Sequence, residues 1–152
     1  MLRVHCARHH RRPAYCSQMT QDNVELVRRT TDLFNRKEIA RVLDAAHDDF
    51  ELDWSNSIGP LKGVYRGRKG ALELWESFLD AWDEVRWDPR EIIEVDDSRV
   101  IVVNHVRMRG GGSGVDVDAT AAQLWTITNR KLRSVKLYQS KAEALAAAQL
   151  AG

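Results

Sequence analysis

Residues 48–57 read DDFELDWSNS, and the period of the chain changes inside them. Phe50, Leu52 and Trp54 alternate with Glu51, Asp53 and Ser55, the period of two that marks a half-buried strand. On that alternation Asp53 points outward and Trp54 inward, with Asn56 falling on the apolar side.

The segments before this stretch are helical. Asp22, with Glu25 three residues on, fits a capping-box start. Val24, Val27, Thr31 and Phe34 follow at helical spacing, and Asn35-Arg36 break the run. Ile39, Val42, Leu43 and Ala46 predict a second short helix. After a turn region at Gly59-Pro60 and Gly63, the strongest helical face comprises Ala71, Leu74, Trp75, Phe78, Leu79 and Trp82.

The remainder reads as sheet. Strands are expected over 85–95, with Pro89 at an edge or bulge, and over 100–109. A third, from Val117 to Ile127, puts Val117, Ala119, Ala121, Trp125 and Ile127 on one face with Gln123. A fourth covers 132–138, and Ser140 with Glu143 caps a final helix. This order predicts an α+β domain with a mostly antiparallel sheet.

At 152 residues the chain has the length of one domain. Of the net charge of +1, residues 1–18 supply four arginines and no acid, which leaves the rest at −3. That body attracts no polyanion, so nucleic acid is not an expected partner. No apolar run approaches the roughly 18 residues of a membrane span, and no membrane partner is expected.

Residues 1–18 are expected to be a disordered basic tail and 19–152 the domain, with Met19 a candidate natural start. Cys6, His9 and Cys16 are zinc-ligand types, but their spacing fits no paired zinc motif, so no metal is expected. With both cysteines in the tail, the body suits a reducing cytoplasm. GGGSG at 110–114 joins two strands with no following Lys-Ser/Thr, and reads as a hairpin connection rather than a phosphate loop.

Three stretches carry a family resemblance: NVELVRRTTDLFNRKEIARVLDAAHDDFELDW (23–54), YRGRKGALELWESFLDAWDE (65–84) and GGGSGVDVDATAAQLWTITNRKLRSVKLYQSKAEALAAA (110–148). Together they resemble the SnoaL-like, polyketide-cyclase-like branch of the nuclear transport factor 2-like superfamily. The resemblance implies a cone, its curved sheet wrapped around the helices and a pocket at the open end. It also implies a homodimer through the outer sheet face. No cofactor is expected.

Ketosteroid isomerases share that fold and use a tyrosine, a carboxylate base and a protonated acid. Motif matching puts those roles at Thr30, Trp54 and Gln123, so all three are changed and isomerase chemistry is not expected. The match also turns the odd-numbered face of 100–109 inward, which would bring His105 and Arg107 into the pocket.

The expected ligand-binding set is Trp54, Asn56, Trp75, Phe78, Trp82, Arg107, Gln123 and Trp125, around a small hydrophobic molecule. Two functions stay open. One is a binding module. The other is a small cofactor-free cyclase, isomerase or hydrolase with His105 as acid/base.

Overall fold

The computed structural model describes residues 3–6, 18–57, 59–110 and 114–151. The elements run β1 (Arg3–Cys6), α1 (Gln18–Asn35), α2 (Ile39–Asp44), β2 (Ala46–Asp53), β3 (Val64–Arg66), α3 (Gly67–Asp80), β4 (Trp82–Glu94), β5 (Arg99–Gly110), β6 (Asp116–Thr128), β7 (Lys131–Tyr138) and α4 (Lys141–Ala151). The strands form one curved sheet in the order β1-β4-β5-β6-β7-β2-β3. It is antiparallel except where β1 meets β4 and β2 meets β7. This is the expected α+β cone, with α1, α2 and α3 on the inner face.

The first four described residues, within the stretch read as a basic tail, form a short strand. Arg3–Cys6 pair in parallel with Glu91–Glu94, because the second half of β4 otherwise ends the sheet with unpaired backbone groups. Residues 7–17, with His9 and Cys16 of the metal reading, lie outside the described residues, as do 111–113 of the glycine-rich connection.

Helix α1 begins four residues before Asp22, so Asp22 is not its cap. It ends in a left-handed turn at Lys37 (φ 62°), where Lys37 N–H donates to Phe34 O and Glu38 N–H to Leu33 O. This double closure takes up two carbonyls the helix end leaves unpaired. Gly67, at φ 80°, turns the chain from β3 into α3. Ser140 Oγ accepts from Glu143 N–H at 3.2 Å, so α4 is capped as expected.

Two apolar clusters share the sheet. The larger fills the cone with Val24, Val27, Phe34, Val42, Phe50, Leu52, Leu74, Trp75, Val102 and Trp125. The smaller lies under α4 on the outer face, with Ile93, Ile101, Val103, Ala122, Tyr138, Ala144 and Ala148. Pro89 sits at the irregularity in β4, where the register against β5 slips between Pro89 and Glu91. The slip exchanges faces: Val85 and Trp87 point inward before it, and Ile92 after it.

Candidate functional site

The inner face is set by register. Trp125 of β6 stands opposite Val100 of β5, and both belong to the inner cluster. The even-numbered residues of β5 therefore face inward: Val100, Val102, Asn104 and Val106. The expectation for β5 is thus corrected. His105 and Arg107 lie on the outer face.

There His105 is fully engaged. Its Nε2 is 2.5 Å from Asp118 Oδ1 and its Nδ1 is 3.3 Å from Arg90 Nη2. A guanidinium only donates, so Nδ1 accepts and the ring proton sits on Nε2, donated to Asp118. Arg107 is exposed, opposite Arg86 on one side and Asp118 on the other.

Inside the cone, α1, α2, α3 and the sheet enclose a chamber lined by Thr30, Thr31, Phe34, Val42, Trp54, Trp75, Trp87, Gln123 and Trp125. No lining residue is titratable. The rings interlock edge to face. Phe34 meets Trp75 at 5.9 Å and Trp87 at 6.1 Å, and Trp54 meets Phe78 at 5.0 Å. The free space is about 20 Å³, enough for one water-sized group.

Four of the expected residues come together here: Trp54, Trp75, Gln123 and Trp125. Phe78 stands behind Trp54, outside the lining. Trp82 does not continue the helix: α3 stops at Asp80, and Trp82 opens β4, outside the chamber lining. Asn56 is also displaced, because β2 ends at Asp53 and Asn56 is exposed in the following turn. Its carbonyl accepts from Gln139 Nε2 at 2.8 Å. Asp53 points outward as read, with its carboxylate accepting from Ser55 N–H at 2.9 Å and 3.6 Å from Lys136 Nζ.

The polar groups inside are amides, hydroxyls and indoles. Gln123 Oε1 accepts from Asn104 Nδ2 at 3.0 Å and from Trp125 Nε1 at 3.4 Å. The Thr30 and Thr31 hydroxyls donate to Leu26 O and Val27 O one turn back in α1. Among the described residues, two buried side-chain nitrogen or oxygen atoms have no hydrogen-bond partner: Trp87 Nε1 and Asn104 Oδ1. The Trp87 backbone is held by a side chain, since Asn35 Nδ2 donates to Trp87 O at 2.8 Å and Asn35 Oδ1 accepts from Trp87 N–H at 2.9 Å. The Asn35 amide thus stands in for a neighbouring strand at this part of β4, which β1 does not cover.

Sequence reasoning missed Trp87 and Asn104. Both carried a signal. Val85 and Trp87 share a face by alternation. Asn104 is a lone amide in the run IVVNHV, the same oddity that singled out Gln123.

Among the described residues no three His, Cys, Asp or Glu side chains gather as a metal site, and no helix is long and apolar enough to cross a membrane. A comparison with curated proteins finds no match. Solved structures share the fold. TerC, co-crystallised with polyporic acid, is 21% identical over 84% of this chain and 98% of its own, with a TM-score of 0.69. Bal32a, from a soil-derived mobile gene cassette, is 16% identical over 84% and 96%, with a TM-score of 0.74. A nuclear transport factor 2-like protein from Burkholderia xenovorans LB400 is 21% identical over 84% and 96%, with a TM-score of 0.67. The model of the SnoaL-like domain matches residues 27–135, more than half of the chain, and with the cone and its enclosed chamber it places this protein in the SnoaL-like domain family.

Proposed function

We propose that this protein binds a small, ring-bearing apolar molecule in the chamber and carries out no proton transfer of its own there. One observation carries the reading. Four indoles and Phe34 converge on a space whose other polar lining residues are two threonines and one glutamine. Apolar walls with a few fixed hydrogen-bonding groups suit recognition of a neutral molecule. An acid/base enzyme needs a titratable group at the reacting atoms. The lining offers none, and His105 is committed to Asp118 on the opposite face.

A ring system needs far more than the present 20 Å³, so binding requires aromatic side chains to move apart. Trp54 is placed for this. It follows the last residue of β2, and its ring meets α3 through Phe78. TerC, with the same fold, was crystallised with polyporic acid, which makes that compound a reasonable first probe.

The test is a titration with polyporic acid and with polycyclic aromatic compounds, read by tryptophan emission and repeated on Trp125→Ala. Saturable quenching by at least one compound, lost in the variant while its circular dichroism stays native, is the expected result. Linear, unsaturable quenching by every compound would remove the reading.

A further inference from the structure

Two unpaired polar atoms on the inner face point to a more specific ligand, and the argument rests on the binding reading above: Trp87 lines the chamber, and Asn104, outside the lining, is bonded to Gln123, which lines it. Trp87, Asn104 and Gln123 form a diagonal across the inner face of β4, β5 and β6. Trp87 is opposite Val106, Asn104 opposite Ala121, and Gln123 opposite Val102. Each is therefore the diagonal neighbour of the next.

The amide orientations along this diagonal are set by the indole at its end. Trp125 Nε1 can only donate, so the Gln123 atom facing it is the carbonyl oxygen. Asn104 meets that same oxygen at 3.0 Å and must present its NH₂ group to it. Asn104 Oδ1 is then left as an acceptor, wholly buried and without a partner. On the neighbouring strand Trp87 Nε1 is a buried donor without a partner. The two do not satisfy each other.

We infer that the chamber recognises a hydroxyl group on its ligand, with Trp87 Nε1–H donating to the hydroxyl oxygen and Asn104 Oδ1 accepting the hydroxyl proton. A carbonyl or ether oxygen would satisfy Trp87 alone. An amide or ammonium hydrogen would satisfy Asn104 alone. A carboxylate or ammonium would also be buried without any opposite charge in the lining. A hydroxyl is uncharged and supplies one acceptor and one donor. The ligand class is thus a phenol or alcohol on an apolar ring frame. Water has the same donor and acceptor character, and a ligand hydroxyl replaces it without loss of hydrogen bonds.

The experiment compares 2-naphthol, naphthalene and 2-methoxynaphthalene by equilibrium dialysis against the intact chain. These share a ring frame and differ in the oxygen and its proton. Two added hydrogen bonds predict 2-naphthol binding about tenfold tighter than naphthalene, and 2-methoxynaphthalene falling between them. Trp87→Phe keeps a ring and removes the N–H. It should cut the 2-naphthol advantage over naphthalene about threefold, a ratio that any loss of ring surface, felt by both probes alike, leaves unmoved. If Trp87→Phe fails to fold, the three-probe comparison on the parent protein decides alone.

Equal affinity for all three probes overturns the hydroxyl inference and leaves the ligand chamber standing. So does a Trp87→Phe that weakens all three by one factor, since the ring surface alone would then be at work. Equal affinity for 2-naphthol and 2-methoxynaphthalene overturns the role of Asn104 in favour of an acceptor-only ligand. Binding by none of the three removes the binding reading and the inference together.

Discussion

Asn104 and Gln123 touch each other, yet replacing them should shift stability in opposite directions. Asn104→Val removes one amide hydrogen bond, worth about 0.5–1.5 kcal/mol net, and also removes a buried acceptor whose desolvation costs about 1–3 kcal/mol. Gln123 Oε1 keeps its bond from Trp125, and valine continues the Val102, Val106 row. The expected change runs from neutral to about 1.5 kcal/mol more stable.

Gln123→Met, close in shape, takes the acceptor away and strands two donors, Asn104 Nδ2 and Trp125 Nε1. The Trp125 bond is long at 3.4 Å, which puts its share at the low end. The expected loss is about 2–4 kcal/mol. At roughly 2–4 °C per kcal/mol for a domain of this size, the two melting temperatures should differ by about 4 °C or more. Thermal and urea unfolding of both variants beside the parent measure this. An Asn104→Val protein as destabilised as Gln123→Met would refute the assignment of Asn104 Oδ1 as an unpaired acceptor.

Other outcomes follow from the same contacts. His105→Ala should leave ligand affinity unchanged and cost less than about 1 kcal/mol, because its partner Asp118 is largely exposed; unfolding and binding curves on one preparation check both. Asn35→Ala strips the Trp87 backbone of both its side-chain partners and should lose about 1–3 kcal/mol, read by urea unfolding. The acid side of the stability profile depends on Asp53 and Asp96. Partial burial opposes ionisation of each, but hydrogen bonds from Ser55 to Asp53, and from Arg99 and Ser98 to Asp96, outweigh it, with Lys136 and Arg99 adding charge. Both carboxyls are held below their ordinary 3.8. The unfolded chain therefore binds their protons first as pH falls. Their contribution is complete above about pH 5 and drains as pH falls through the lowered values. Asp53→Asn with Asp96→Asn should flatten that acid limb, as unfolding measured from pH 7 to pH 3 would show.

The helical and strand periods of the sequence are strong enough to place most elements and the inner positions of β2 and β6. Phe50, Leu52 and Trp54 obey simple alternation because the outer face of β2 carries Glu51 and Asp53. Strand β5 offers no such contrast. Its start is apolar on both faces, since Ile101 and Val103 pack under α4 while Val100 and Val102 fill the cone. With both faces buried, parity had to be carried over from motif matching, and it came out one residue off. That shift exchanged His105 and Arg107 for Asn104 and Val106. Trp82 was misplaced for a different reason. Its spacing continues the helical face through Phe78, but the helix ends before it. Asn56 continued an alternation past the end of β2, where the turn takes over.

The central claim, that the chamber and not the outer face receives the ligand, is tested most directly by fluorine NMR on protein labelled with 5-fluorotryptophan. The five tryptophans then report separately: Trp54, Trp75, Trp87 and Trp125 line the chamber, and Trp82 stands outside it. Titration with 2-naphthol or polyporic acid should move the four chamber resonances and leave Trp82 in place. A saturable response confined to Trp82, or bound ligand with the four chamber resonances unmoved, would contradict the account.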